Sequence, residues 1–369
     1  MMPPAVHLVH AFSTFVASGP QLRMSAIMNA LGGEFRHTIL AMDGIFQASS
    51  RLTVEAGLEP PPPGSSWRRI VGIRDWIRRL RPSLVLTYNW GAIEALVGAW
   101  LAGVCPVIHN EHGFGPEEAA RRLRRRVLAK RALLGRVDRL LVPSRSLYQI
   151  ARNEYRLPPA KIRLIISGVD TGRFQPRADR GRRERLGVPA DELLIGYVGM
   201  LRAEKNLPML LRAFAEARLD RARLVLAGDG PCRKELEELS RSLGLGERVL
   251  FTGAIDDTPA LYAALDIFAL SSDTEQTPMA LLEAMACGLP ALATDVGDCR
   301  AILDAAGPPE IAAAGAISGY AEALRALATD AALRSRLGEK NRRRCQAQYT
   351  VERMVREYAE VYREAVARR

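Results

Sequence analysis

Short apolar runs alternate along the chain with longer stretches whose apolar residues recur at three, four and seven positions. This is the pattern of parallel strands buried on both faces and crossed by amphipathic helices. In the first half the runs predict strands at Val6–His10, Thr38–Met42, Leu84–Asn89, Val107–Asn110, Leu140–Pro143 and Ile162–Ile166. A helix opens near Pro20, a residue at ease in a first turn because its missing N–H has no partner there, and carries Met24, Ile27, Met28 and Leu31 on one face. From Ser167 the stretch SGVDTGRFQPRADRGRRERLGVP has little to bury, and after it the scheme restarts. The run LLIGYVGM leads into a helix from about Leu207 with Leu207, Leu210, Leu211 and Phe214 on its apolar face. Further strands fit Arg223–Ala227, Val249–Thr252, Ile267–Leu270 and Leu292–Thr294, and EPPPPGSS reads as a surface loop. A final helix carries Val351, Met354, Val355, Tyr358, Val361 and Tyr362 on a side that must be buried.

Two α/β units suit a chain of 369 residues, because single cores stop growing near ~250–300 residues. The expected division is 1–170, 171–348 and a terminal helix over 349–369 packing back on the first unit. With 48% hydrophobic and 25% charged residues, the chain has material for two cores and is far from a disordered profile. No run reaches the roughly 18 apolar residues of a membrane span, and MMPPAVHLVHAF reads as a first strand rather than an export signal. Five scattered cysteines show neither redox nor ligand spacing, and the histidines supply no metal cluster in their place. A cytoplasmic protein without a metal is expected. The net charge of +11 calls for an anionic partner: nucleic acid, lipid headgroups or a phosphorylated small molecule.

The phosphorylated small molecule is favoured by residues expected at strand ends of the second unit, where N–H groups and helix N-termini point outward. GYVGMLRAEKN sets Arg202 and Lys205 in a strand–helix loop, where two cations can clamp a diphosphate. In AGDGP, Gly228 and Gly230 permit a tight turn and close backbone approach to a ligand, while Asp229 is placed to cap the next helix. Phe251, Thr252 and Gly253 end a strand where a nucleotide base could lie against backbone. In SSDTEQTPMALLEAMACGLPALATDVGD, Glu275 lies in a loop, Pro278 marks a first helical turn, and Glu283 follows inside the helix. Two such carboxylates can take different diols of one ligand, sugar hydroxyls and ribose hydroxyls, while backbone at Thr277, Pro278 and Met279 faces a diphosphate.

These motifs resemble the retaining glycosyltransferases of family 4. The E-x7-E motif is matched by Glu275 and Glu283, and the basic pair between first strand and helix by Arg202 and Lys205. The resemblance implies an α/β GT-B fold, two Rossmann-like domains facing each other across a cleft, with the last helix crossing back. It also implies a nucleotide diphosphate sugar as co-substrate, UDP-sugar slightly favoured, with no other cofactor. In such enzymes the first glutamate contacts the transferred sugar, the second the ribose, and the Arg and Lys hold the diphosphate. The chain departs from many members at Gln276, where they have glycine, at SGVD for NGVD, and at Asp298 in place of a second glycine.

The family's first domain receives the acceptor, here expected to be a glycan or lipid-linked molecule. AFSTFVASGPQLR brings Gly19 to the start of a helix, with Gln21 and Arg23 as donors nearby. In IHNEHGFG, His112 resembles the family histidine near the transferred sugar, His109 packs at the strand end, and Glu111 is turned away by a one-residue offset. The segment 119–136 carries eight basic residues and no acidic one, and Arg124, Arg125, Lys130 and Arg131 could meet an anionic membrane peripherally. Nucleic acid is disfavoured because no helix-turn-helix, finger or aromatic platform is present. A dehydrogenase lacks its G-x-G-x-x-G. A phosphorylase would need a cofactor lysine site, an epimerase would consume donor without acceptor, and a noncatalytic scaffold would have no need of Glu275, Glu283, Arg202 and Lys205. Oligomeric state is not readable.

Overall fold

The computed structural model describes residues 6–113, 123–177 and 180–368. They form two compact units, one of residues 1–166 with 354–369 and one of residues 167–353. In the first unit the strands are β1 (Val6–Phe12), β2 (Phe35–Ala41), β3 (Ala56–Glu59), β4 (Leu84–Tyr88), β5 (Val107–Asn110), β6 (Arg139–Val142) and β7 (Ile162–Leu164). They lie in the order β3-β2-β1-β4-β5-β6-β7. The second unit has β8 (Leu193–Val198), β9 (Ala222–Ala227), β10 (Val249–Gly253), β11 (Ile267–Leu270), β12 (Ala291–Thr294) and β13 (Ile311–Ala312), in the order β10-β9-β8-β11-β12-β13.

Every pairing between these strands is parallel. Parallel neighbours need crossovers, so helices cover the faces and central strands are apolar on both sides. All of β4 and all of β11 are buried for this reason. The short, mostly exposed AGLE of β3 gives no such signal, because as an edge strand it pairs only with β2. Its backbone is strand-like without a core-facing pattern. The chain winds outward from β1 through β2 to β3 and then returns to β4 on the other side of β1, and it repeats this around β8 and β11. Each sheet therefore has one point where strand order reverses, between β1 and β4 and between β8 and β11. Among the described residues no helix is long and apolar enough to cross a membrane.

The last helix, Val351–Ala367, starts in the second unit and from Met354 belongs to the first. Tyr362 packs edge-on against Phe35 at 6.2 Å, and Arg363 pairs with Glu34 at 2.7 Å. These contacts help explain why β2 begins at Phe35, three residues ahead of the position its apolar run predicts. Within the second unit, Val169 pairs in parallel with Thr350.

The basic segment reads differently in three dimensions. Residues 119–122 lie outside the described residues, and a helix covers Arg124–Leu134. Arg124, Arg125 and Arg131 are exposed on it. Lys130 is not available to headgroups: its side chain is 3% exposed, and its Nζ lies 2.6 Å from Oε2 of Glu111, itself 1% exposed. The Glu111 N–H donates to Leu141 O at 3.0 Å, so sheet pairing runs one residue past β5 and carries this carboxylate inward. A buried pair is costly to break from one side, because the remaining charge stays desolvated. Lys130→Met is therefore expected to cost roughly 3–5 kcal/mol of unfolding free energy, and the double variant Glu111→Gln with Lys130→Met to recover most of it, measured by urea denaturation.

Candidate donor site

At the reversal point of the second sheet, loops distant in sequence meet. The loop after β8 runs past Gly199 to Asn206, and its backbone is gripped by the loop after β9. Gly199 N–H donates to Ala227 O at 2.9 Å, Leu201 N–H to Asp229 O at 3.0 Å, and Cys232 N–H to Leu201 O at 3.0 Å. A Cβ on Gly228, whose φ is +142°, would stand 1.9 Å from Gly199 O, and one on Gly230 would stand 2.5 Å from Leu201 O. Both glycines are thus required by the crossing of two backbones, a packing reason independent of any ligand. Asp229 does not cap the following helix, Arg233–Ser242, which opens at Cys232. Its Oδ1 instead accepts from Gly230 N–H at 2.8 Å, tightening the turn.

Lys205 and Glu275 come together here. Lys205 Nζ donates to Glu275 Oε1 at 2.7 Å, and the Ser272 hydroxyl donates to the same oxygen at 2.8 Å. The two loops are fastened to one another by Ser271 Oγ donating to Lys205 O at 2.9 Å, Asp273 N–H to Glu204 O at 2.9 Å, and Asn206 Nδ2 to Asp273 Oδ1 at 2.7 Å. A third loop supports them after β12: a Cβ on Gly297, at φ +53°, would fall 2.1 Å from Glu275 O. Glu275 is only 9% exposed, so its carboxylate sits where solvent competes weakly. Arg202 is 49% exposed and reaches Glu204 only at 4.0 Å, leaving a loosely tethered cation at the rim of the same loop.

Pro278 stands immediately ahead of the helix Met279–Ala286, one position earlier than its expected place in the first turn. The first N–H groups of any helix lack intrahelical acceptors, so the start of this one at Met279 and Ala280 is a place for negative charge, whereas Pro278 has no N–H to offer. Glu283 lies one turn further on. Its Oε2 accepts from the Tyr262 hydroxyl at 2.8 Å, and desolvation pushes its carboxyl up to about 7, against the downward pull of Tyr262 and of Arg173. Thr252 is set apart from this group, on β10 at the sheet edge two strands from β8, with its hydroxyl donating to Gly253 O at 3.1 Å. Ser272 and Tyr262 carry no motif, and sequence reading gave them no role.

In the first unit, His112 follows β5. Its N–H donates to Asn89 Oδ1 at 2.7 Å, and its ring stacks on Tyr88 at 5.7 Å with 13° between planes. Arg23 donates from Nη2 to His112 Nδ1. Burial first, then the Arg23 and His109 charges, lower the His112 pKa well below the usual histidine range. The neutral ring, accepting at Nδ1, carries its proton on Nε2, which has no partner among the described residues. Gly19 begins the helix Gly19–Leu31, and nothing lies within 4 Å of where its Cβ would be. Gln21 is spent on the loop itself, donating to Thr14 O at 3.1 Å. His109 is buried against Thr87, with 2.8 Å between Nδ1 and Oγ1.

Among the described residues there is no cluster of three or more His, Cys, Asp or Glu placed to hold a metal. What the second unit offers is a pair of carboxylates, two cations and a helix start in the segments that follow the central strands β8 and β11, suited to a polyhydroxylated, phosphorylated ligand.

Residues 4–173 match the profile of Glycosyltransferase Family 4, and residues 180–344 that of Glycosyl transferases group 1. The solved structure of HepE from Anabaena in complex with UDP superposes with a TM-score of 0.83 at 19% identity, covering 97% of this chain and 100% of that one. Sucrose-phosphate synthase from Thermosynechococcus elongatus gives 0.82 at 22% identity, covering 98% and 100%. The D-inositol 3-phosphate glycosyltransferase of Salinispora arenicola is 31% identical over 329 residues, 77% of this chain and 69% of the relative. The chain belongs to the GT-B glycosyltransferases. It spans 64% of the length of the corresponding Salinispora tropica protein, to which it is also 31% identical.

For this glycosyltransferase the raised carboxyl of Glu283 has a stability consequence. A carboxyl whose folded pKa lies above its unfolded one favours the fold below the unfolded value, here near 4.5, and loses that advantage as pH rises through about 7. Glu283→Gln removes the buried charge, so at pH 8 the variant is expected to be more stable than the parent by roughly 1–3 kcal/mol, the gain vanishing near pH 4 to 5. Denaturation curves at the two pH values check this.

Proposed function

We propose that this enzyme is a retaining glycosyltransferase of family 4 type. It moves a hexose-type sugar from a nucleotide diphosphate sugar, UDP-sugar favoured, to a glycan or lipid-linked acceptor. The observation that carries the reading is the meeting of Lys205 and Glu275 at the reversal point of the second sheet, with Glu283 inside the adjoining helix. HepE, similar in fold, has been solved with UDP-glucose as well as with UDP, which supports a donor of that class. The formal charge of +11 suits a phosphorylated donor and an anionic acceptor.

In this reading the diphosphate draws Lys205 away from Glu275 and is joined by Arg202 and the N–H groups opening the Met279–Ala286 helix. Glu275, released from its lysine, accepts hydrogen bonds from the transferred sugar's hydroxyls, and Glu283 accepts from the ribose diol. The bond from anomeric carbon to phosphate oxygen breaks through an oxocarbenium-like state whose negative counterpart sits on the diphosphate. The acceptor oxygen attacks from the face the diphosphate leaves, and its proton passes to the departing phosphate oxygen, so stereochemistry is retained. On the first unit, His112 carries its proton on Nε2 and offers a hydrogen-bond donor to a ligand oxygen. Cationic stabilisation of the leaving group is the largest contribution, and removing one such group costs ~10²–10³ in kcat.

Thermal denaturation with UDP-, GDP- and ADP-sugars, free nucleotides and NAD tests the donor assignment. Selective stabilisation by one sugar nucleotide is expected, approaching ~2.7 kcal/mol at a hundredfold excess over Kd and weakened in Arg202→Ala and Glu283→Ala. No response to any sugar nucleotide would contradict it.

A further inference from the structure

Tyr262 lies on the helix Thr258–Ala264, whose first turn is capped by Asp257 accepting from Ala260 N–H at 3.3 Å. Its ring is fully buried, edge-on to Phe174 at 5.8 Å and tilted against Phe268 at 6.0 Å, so it has no room to swing. Packing of this kind would be satisfied by phenylalanine. The hydroxyl is what differs, and it stands 2.8 Å from Glu283 Oε2 and 3.2 Å from Ala280 O, bridging the helix that carries Glu283 and the carboxylate itself. A buried phenol needs such a partner, and a glutamate with three free torsions gains a fixed direction from one.

We propose that Tyr262 is a positioning residue of the donor site, its phenol holding the Glu283 carboxylate in the orientation that meets the vicinal diol of a nucleoside. This rests on the reading in which Glu283 binds the ribose. A carboxylate has about four acceptor positions, and the phenol occupies one, leaving enough for both hydroxyls of a diol. Orientation fixed beforehand spares the ligand the cost of ordering the side chain on binding.

The phenol also acts on charge. The groups bearing on the pair are Arg173 from the segment ahead of β8, Tyr197 on β8 and Cys287 at the end of the Glu283 helix, with Arg177 and Arg342 acting on Cys287. Of these, Arg173 and the Tyr262 hydroxyl favour the ionised carboxylate against its desolvation. Without the hydroxyl, the carboxyl stays protonated to higher pH and loses acceptor capacity when a diol arrives.

The test uses Tyr262→Phe, a volume-conserving change, in the full chain. UDP binding by calorimetry between about pH 6 and 9 is combined with kinetics on the donor selected by the denaturation screen. The expected result is a donor KM raised about five- to tenfold near neutrality with kcat within about twofold. The acid limb of binding should move up by about half to one pH unit. In a Glu283→Gln background the same substitution should change neither quantity further, which separates positioning from general loosening of the fold. An unshifted pH profile for Tyr262→Phe, with binding weakened by Glu283→Gln, would overturn this inference alone. Unweakened binding in Glu283→Gln itself would overturn the ribose reading beneath it.

Discussion

The arrangement of the proposed donor site depends on one constraint, the parallel pairing of every strand in the second sheet. Parallel strands all point the same way, so every loop that follows one emerges on a single edge. Where strand order reverses, between β8 and β11, the loops that follow those two strands emerge side by side and are fastened to one another. Lys205 enters from one side and Glu275 from the other, and they meet although β9, β10 and their helices intervene in sequence. The glycines at 228 and 297 serve the same geometry. They let neighbouring loops press backbone to backbone, fixing the paths on which the charged side chains ride.

Burial then decides what those charges do. Lys205 and Glu275 neutralise each other with the lysine still partly open to solvent, and the proposed function has a diphosphate replace the carboxylate as the lysine's partner. Lys130 and Glu111 are nearly sealed from water, and that pair serves the fold. Glu283 is the intermediate case: desolvation raises its carboxyl, while Tyr262 and Arg173 draw it back toward ionisation. A buried carboxylate kept near ionisation in this way lowers the stability of the fold at neutral pH.

Much of this was legible in the sequence where local pattern and tertiary role coincide. The strands expected at Val107–Asn110 and Ile267–Leu270 are buried throughout, and their expected bounds agree with β5 and β11. β3 was not legible, because AGLE at a sheet edge needs no apolar alternation. Spacing alone set Glu275 in a loop and Glu283 in a helix, but the bond from Lys205 to Glu275 is a property of sheet order. Lys130 looked like its neighbours in a basic run, since nothing local distinguishes an inward lysine when its partner lies on another element. Gly228 and Gly230 announced a close approach without saying to what, and the partner is the Gly199–Leu201 backbone. Tyr262 reads as a core aromatic, and only its hydroxyl contact with Glu283 reveals more.

The central claim is that the reversal point of the second sheet binds the nucleoside diphosphate of a sugar donor. A crystal structure of the protein with UDP tests it most directly. The account predicts the ribose hydroxyls on Glu283 and the diphosphate on Lys205, with the Lys205–Glu275 bond opened. UDP bound elsewhere, or bound there with that bond intact and Glu283 untouched, would contradict it.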